Sequence, residues 1–329
     1  MSVSTKRVIY GTSSNDWIIG TEGHDEIYGL AGSDEIVGGL GDDYIDGGVG
    51  HDFLNGGAGN DILVGTDGVD SLNGEDGDDL LAVSWTNEYN YEGSWRIAGG
   101  EGYDTLSIVS YQPSGSSAQW FEEPGPAPGN PVIVLSAENS IERVIGSQGN
   151  DIINVYANFD VHLDGGAGND TLEAGDGNDV LVGGDGDDVV WGGSGADVVY
   201  GGAGNDRVRG YDNDRVYGGD GDDYLIGDSA GPSSGAGSSL WGGAGNDTFE
   251  FGTYGVRTAM DFEGAGAVGG DIVMVVYGNR DYVNFEYLMA NNAHQVGNDT
   301  HLVLDNSTLI LAGVAKQTLV ADDFLFVPY

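Results

Sequence analysis

The sequence predicts an all-β protein, a narrow parallel β-solenoid of two sheets with a β-rich C-terminal cap. Three observations predict this fold. A nine-residue period recurs through most of the 329 residues, the eighth place of each period is apolar, and glycine and aspartate dominate the places between. Glycine alone contributes 61 residues, which is typical of a chain built from tight turns.

The charge restricts the classes of partner. Asp and Glu total 54 against 10 Lys and Arg, giving a formal net charge of −44, so we expect no nucleic-acid partner. No apolar run approaches the ~20 residues of a membrane span. Asp outnumbers Glu by 39 to 15, and cysteine is absent. Bound cations would relieve the electrostatic repulsion among these carboxylates. Asp side chains in turns can supply the oxygen ligands that hard cations prefer.

Eighteen copies of the repeat can be aligned. They form a run at 11–82, single units at 99–107 and 146–154, a second run at 165–226 and a last unit at 242–250. The first place is Gly in every copy except at Ala174, and the eighth place is always apolar. The sixth place is always Asp, allowing one deletion in the eight-residue unit 210–217. Such a register excludes a disordered Gly/Asp linker.

Each repeat divides into a turn and a strand. The six residues GGxGxD form the turn, and the next three form a short strand with one inward side chain. Two repeats make one coil, and coils stack at roughly 4.8 Å. The Asp carboxylates of stacked turns would repel unless a cation lay between them. Ca²⁺ takes 6–8 oxygen ligands, which two Asp and several backbone carbonyls supply.

The sixth-place Asp residues are therefore the predicted metal ligands. They are Asp16, Asp25, Asp34, Asp43, Asp52, Asp61, Asp70, Asp79, Asp104, Asp151, Asp170, Asp179, Asp188, Asp197, Asp206, Asp214, Asp223 and Asp247.

Units such as GGAGNDILV and GGAGNDTLE strongly resemble the RTX (repeats in toxin) family of hemolysin-type calcium-binding β-roll proteins. The resemblance implies a parallel β-roll with one ion between each turn and the turn two units later, about eleven Ca²⁺ ions in all. The segment from Gly297 to Tyr329 resembles the C-terminal flank of secreted members, which carries an uncleaved signal for the type I secretion machinery. No cleaved N-terminal signal is visible. The resemblance thus implies a bacterial, extracellular protein.

The spacing of the repeats predicts four regions. Residues 1–82 form a first roll, 83–145 an aromatic-rich insert holding the unit at 99–107, 146–250 a second roll, and 251–329 the cap with the secretion signal. The two runs form either one roll or two. The insert contains Trp85, Trp95 and Trp120, which form either a lid over an interrupted solenoid or a platform that stacks on sugar rings.

The sequence favours a non-enzymatic protein that folds on calcium binding after export and then acts as an extracellular structural or binding module. No H-E-x-x-H motif is present, and His24 and His51 occupy the variable fifth place of a turn. The G-x-S-x-G letters at 231–235 lie in a Gly/Ser loop rather than between a strand and a helix. The alternative is a calcium-dependent polysaccharide-binding protein, or a polysaccharide-modifying enzyme, that uses the aromatic insert.

Overall fold

The chain forms two compact units, Met1–Gly166 and Ala167–Tyr329. The computed structural model describes residues 6–84, 96–110, 132–136, 139–211, 213–228, 237–251, 254–264, 270–277, 284–304 and 306–328. Each unit consists mainly of parallel strands, so the predicted all-β fold of stacked parallel strands is confirmed. The four predicted regions remain predictions.

In the first unit, strands of successive repeats alternate between two facing sheets. One sheet contains, in spatial order, β1 (Arg7–Tyr10), β3 (Asp25–Tyr28), β5 (Tyr44–Val49), β7 (Ile62–Asp67), β9 (Leu80–Ser84), β11 (Thr105–Ser110), β13 (Arg143–Ile145) and β15 (His162–Ala167). The other contains β2 (Trp17–Ile19), β4 (Glu35–Leu40), β6 (Phe53–Ala58), β8 (Ser71–Asp76) and β10 (Arg96–Glu101), and β12 (Val132–Ser136) pairs with β14 (Ile152–Tyr156).

The second unit repeats this plan and adds a cap. One sheet contains β17 (Val180–Asp185), β19 (Val198–Ala203), β21 (Arg215–Asp220), β23 (Ser239–Ala244), β25 (Tyr254–Ala259), β29 (Asn306–Leu311), β28 (Asp299–Leu304) and β27 (Ala293–Val296). The other contains β16 (Thr171–Ala174), β18 (Val189–Trp191), β20 (Arg207–Tyr211), β22 (Tyr224–Asp228), β24 (Thr248–Phe251), β26 (Ile272–Tyr277) and β30 (Phe324–Pro328).

The cap differs from the coils in its pairing. Strands β27, β28 and β29 form an antiparallel meander, as alternating patterns joined by short turns allow. Helix α1 (Phe285–Asn291) precedes the meander, and the Asn284 side chain accepts the Tyr287 N–H at its start. Two short 3₁₀ turns, Lys316–Thr318 and Ala321–Asp323, follow it. Within the described residues, no helix is long and apolar enough to cross a membrane.

The eighth-place side chains form the core of both units, as predicted. All eighteen are buried, and only Ile18, in the edge strand β2, exceeds 1% exposure. Coils stack them directly, so that Ile27 lies beside Ile45 and Ile45 beside Leu63. One branched side chain per strand therefore fills the narrow space between two sheets.

Many strands are longer than predicted, although β2 and β18 have the predicted three residues. Strand β5 has six residues rather than three, because it continues through the first three places of the next repeat. Its exposure alternates, and the first-place Gly47 faces inward beside the eighth-place Ile45. A Cβ on Gly47 would lie 2.5 Å from Asp52 Oδ2. Where the strand continues in this way, the first-place glycine is a strand residue that permits close approach, and the turn is confined to the fourth to sixth places.

Candidate metal centre

The eighteen sixth-place Asp residues lie where each turn meets its strand, with their side chains directed into the solenoid. Apart from Asp16 in the first turn, every one is at most 3% exposed. Carboxylates are seldom buried to this extent without partners. The identity and burial of these groups make them the centre of the candidate site.

One carboxylate oxygen of most of these Asp residues belongs to a ladder along the edge of the solenoid; Asp25, the first of its row, donates its N–H, but its own Oδ1 has no partner among the described residues. The N–H of a sixth-place Asp donates to Oδ1 of the Asp one coil later, at 2.7–3.0 Å. In the first unit the rows are Asp16–Asp34–Asp52–Asp70 and Asp25–Asp43–Asp61–Asp79–Asp104. In the second unit they are Asp170–Asp188–Asp206–Asp223–Asp247 and Asp179–Asp197–Asp214.

The other oxygen, Oδ2, is buried and lacks a hydrogen-bond partner among the described residues in many of these turns. We call these the open turns. They contain Asp34, Asp43, Asp52, Asp61, Asp70, Asp79, Asp104, Asp188, Asp206 and Asp223. An unsatisfied buried carboxylate oxygen costs free energy. Its regular recurrence indicates a ligand that the protein chain itself does not provide.

Burial raises the pKa of these carboxyl groups. Desolvation is the largest cause, and the neighbouring Asp of the ladder adds repulsion while the ladder hydrogen bond opposes the shift. The pKa rises to about 7 for Asp61, Asp70 and Asp223. It rises to about 6 for Asp43, Asp79, Asp104, Asp151, Asp188, Asp206 and Asp247. A bound cation would favour the charged form and reverse this shift.

The first-place glycines mark the space beside each open Oδ2. The point where a Cβ on Gly38 would lie is 2.5 Å from both Asp43 Oδ2 and the carbonyl oxygen of Gly56, one coil on. The same holds at Gly183, with Asp188 Oδ2 and the carbonyl of Gly201. Carboxylate and carbonyl oxygens converge here, which is the donor set that Ca²⁺ prefers.

Carboxylates alone do not make such a site. Among the described residues, no three His, Asp or Glu side chains cluster closely enough to hold a metal. Backbone carbonyls would therefore have to complete the shell of each ion. The residues that would hold Ca²⁺ are therefore the sixth-place Asp and the turn glycines, and ligation by the named Asp residues remains a prediction.

The backbone of the second place is left-handed in most of the turns with an unpartnered Oδ2, and also in some others, such as Gly243 with φ +104°. In nine of the ten turns with an open Oδ2, this residue has a positive φ, for example +113° at Gly57 and +118° at Gly184. Two are not glycine: Leu30 has φ +80° and Glu75 has φ +78°. Left-handed backbone in such residues stores strain and often accompanies a functional site. The tenth is the Asp70 turn, in which the Thr66 hydroxyl donates to the Gly48 carbonyl instead.

Three turns supply both an amide and a hydroxyl donor to Oδ2, and in a fourth the Tyr211 N–H donates to Asp214 Oδ2. The N–H and hydroxyl of Thr21 donate to Asp25 Oδ2 at 2.6 and 2.8 Å, and Thr12 binds Asp16 in the same way. Ser147 donates both groups to Asp151 Oδ2 at 2.6 and 3.0 Å. None of these second-place residues has a positive φ, so the amide can face the carboxylate. We call these the closed turns, in contrast to the open turns with an unpartnered Oδ2.

A second ladder, which the sequence analysis missed, follows the outside of the turns. Here the fifth-place side chain accepts the N–H of the fifth-place residue one coil later, in the opposite direction to the Asp ladder. Asn60 Oδ1 accepts from Asp78, and Nδ1 of His24 and of His51 accept from Asp42 and Val69. The rings of both histidines are exposed, but each also accepts a hydrogen bond from the next turn. The signal was present, because the fifth place is mostly Asn, Asp, Ser or His.

The Asp ladder also extends beyond the repeats. The Asp104 N–H donates to Glu142 Oε2 at 2.7 Å, and the Asp247 N–H donates to Asp271 Oδ1 at 3.0 Å. Asp271 Oδ2 accepts the Glu263 N–H, which closes that end of the row. In sequence, each of these acids stands two places before a buried core residue, Val144 and Val273. That spacing was the available signal.

The predicted glycan contacts Trp85, Trp95 and Trp120 lie outside the described residues, as does Ser233 of the G-x-S-x-G letters. The platform, the lid and the polysaccharide alternative therefore remain predictions.

The family comparison agrees with this geometry. The family model for the RTX calcium-binding nonapeptide repeat matches residues 10–45, 46–81, 145–181, 159–190, 173–208, 210–230 and 238–253. No curated protein matches the chain. A solved structure, the extracellular lipase LipA from Serratia marcescens, aligns over 99% of this chain and 41% of its own, with 19% identity and a TM-score of 0.24. The chain thus spans less than half of that protein's length. The repeat matches cover more than half of the chain, and with the stacked turns and buried Asp ladder they show that it belongs to the RTX family of calcium-binding nonapeptide-repeat proteins.

Proposed function

We propose that this protein is an exported β-roll that folds when Ca²⁺ fills its open turns outside the cell, and that it then acts as an extracellular structural or binding module. The observation that carries the proposal is the row of buried Asp Oδ2 atoms without partners. Membership of a family of typically secreted proteins supports export, and the proposed route is the type I secretion machinery.

The charge distribution supports coupling of folding to calcium. Where calcium is scarce, each coil that forms would bury two carboxylates and bring each beside the next, which opposes folding. At the ~10⁻⁴–10⁻³ M calcium that extracellular modules bind, the Asp carboxylates can take up the ion as the coil closes. The binding free energy then becomes folding free energy.

The test is a calcium titration of the metal-free chain followed by far-UV circular dichroism. We expect little strand signal without calcium and a cooperative gain on its addition. Full strand content in chelator at neutral pH would sink the proposal. A matched pair of variants locates the sites. Asp188→Ala removes a buried ladder residue and should raise the calcium midpoint more than Asp176→Ala, which changes an exposed third-place residue.

We also propose that the chain has no enzymatic activity of its own. Repeats, the insert and the cap occupy its length, and the sequence leaves no non-repeat segment of the roughly one hundred residues that a separate catalytic domain needs. Turnover of a polysaccharide by the purified, calcium-loaded protein would overturn this part and leave calcium-coupled folding intact.

A further inference from the structure

The turn at 99–104 is an open turn at the end of a row of repeats. Asp104 is fully buried, and its Oδ2 has no hydrogen-bond partner among the described residues. The second-place Gly100 has φ +128°, as in the other open turns. In the preceding rows an open Oδ2 faces the first-place carbonyl of a later repeat. Here the later coil, at residues 139–145, contains no repeat.

The coil at 139–145 nevertheless places a carboxylate in the ladder. Thr105 pairs with Arg143 and Leu106 with Val144, so that Glu142 stands in the register position of a sixth-place Asp. Glu142 Oε2 accepts the Asp104 N–H at 2.7 Å, as Oδ1 does elsewhere in the row. The longer Glu side chain thus performs the ladder role of Asp.

The same coil also supplies the carbonyl oxygen. Ser140 has a left-handed backbone, with φ +49°, in a segment without glycine. Its carbonyl oxygen and Asp104 Oδ2 are the two atoms nearest the point where a Cβ on Gly99 would lie. At Gly38 the corresponding atoms are Asp43 Oδ2 and the Gly56 carbonyl. Ser140 therefore presents its carbonyl where a repeat would present that of its first glycine.

We propose that Asp104, Glu142 and the Ser140 carbonyl form a further Ca²⁺ site, outside the nonapeptide repeats. This rests on the proposed calcium-binding function and extends it to a coil that the repeat pattern does not include. The ligand set is again two carboxylates and backbone oxygen, which suits a hard divalent ion. The ion would join the last coil before the 111–131 segment to the first coil after it.

The test counts the ions bound per chain by equilibrium dialysis at saturating calcium. Glu142→Gln keeps an oxygen that accepts the Asp104 N–H but removes the charge, so we expect one ion fewer than in the wild type. The matched control is Glu101→Gln, an exposed carboxylate in the same repeat, which should leave the count unchanged. Circular dichroism of each loaded variant shows that it is folded.

The outcomes separate this site from the proposed function. A wild-type chain that binds no calcium would overturn both. Calcium binding with equal counts in the wild type and Glu142→Gln would overturn the new site alone. If Glu142→Gln does not fold, wild-type crystals loaded with Tb³⁺ decide. An anomalous peak between Asp104 and Glu142 supports the site, and peaks at the repeat turns without one there overturn it.

Discussion

The turns at Gly20 and Gly56 lie on the same edge of the first unit, yet the Oδ2 atoms of their sixth-place Asp residues differ in their hydrogen-bond partners. At Gly20 the N–H and hydroxyl of Thr21 both donate to Asp25 Oδ2. At Gly56 the second residue, Gly57, has φ +113°, and Asp61 Oδ2 has no partner. A closed turn supplies donors to Oδ2 from its own atoms, although Asp25 Oδ1 has no partner among the described residues, whereas an open turn leaves Oδ2 available for the proposed ion. These two turns differ in the second place, which is Thr21 in one and Gly57 in the other.

The largest expected effect is the pH dependence of folding without metal, which tests whether the open carboxylates oppose folding. Burial raises the pKa of open-turn Asp such as Asp43 and Asp61 to about 6 and 7. A group whose folded pKa is raised stabilises the folded state below its unfolded pKa of ~3.9, and this contribution is lost as pH rises through about 6–7. We therefore expect metal-free protein to gain strand content between pH 7.5 and pH 5.

The measurement is circular dichroism in chelator-treated buffer, kept above the sequence pI of 4.1 to limit precipitation. With calcium present the trend reverses, because protons compete with the ion for the same oxygens. Identical spectra at pH 5 and pH 7.5 without metal would show that the open carboxylates do not oppose folding.

The next effect separates the two turns directly. Asp61→Asn removes a charged oxygen from an open turn, and we expect the calcium midpoint to rise about tenfold, equivalent to ~1.4 kcal/mol. Asp25→Asn changes a carboxylate whose Oδ2 is already bonded to Thr21, so its midpoint should shift about twofold or less. The two midpoints are compared by fluorescence titration, and equal shifts would abolish the distinction between the turns.

A smaller change should convert one turn into the other. Thr21→Gly removes the hydroxyl and permits the positive φ of the open turns, so we expect one additional ion per chain. Thr66→Gly is the control, because the Thr66 hydroxyl bonds to the Gly48 carbonyl and Asp70 Oδ2 is already unpartnered. Equilibrium dialysis gives both counts. An unchanged count in Thr21→Gly would mean that the second place does not govern ion binding.

The smallest effect concerns the outer ladder, which open and closed turns share. Asn60→Ala removes the acceptor of the Asp78 N–H and should lower the unfolding free energy by ~1 kcal/mol or less. The fifth place already tolerates Val69 and Ala196. Asn60→Asp keeps the acceptor and should behave as wild type in urea unfolding of the calcium-loaded protein.

Much of the fold could be predicted from the sequence because each place of the repeat has the same role in successive copies. The apolar eighth place predicts the core from Ile18 to Phe249, and the sixth-place Asp predicts the edges that bear the candidate sites. The predicted length of three residues is too short for strands such as β5, because the prediction places a first-place Gly such as Gly47 in the turn for its flexibility. Its role is to be small, next to a buried carboxylate.

The parts that sequence analysis missed depend on contacts between coils. Glu142 lies 38 residues from Asp104, across the insert, and no local period connects the two. The closed turns were missed for a different reason. Thr21 and Thr66 occupy the same place in their repeats, yet only the hydroxyl of Thr21 reaches its own Asp. Composition alone does not distinguish them.

The eight-residue unit at 210–217 gives the solenoid a mark of position. Elsewhere a ladder hydrogen bond usually joins residues 18 apart, but from Asp197 to Asp214 and from Asp206 to Asp223 the separation is 17. Because neighbouring coils are nearly interchangeable, a chain that pairs one coil out of step loses few contacts. An irregular coil penalises such slippage, because pairing it with another coil would shift the ladder by one residue. The missing residue thus helps to define a single register of coil pairing in a chain whose other coils are nearly alike.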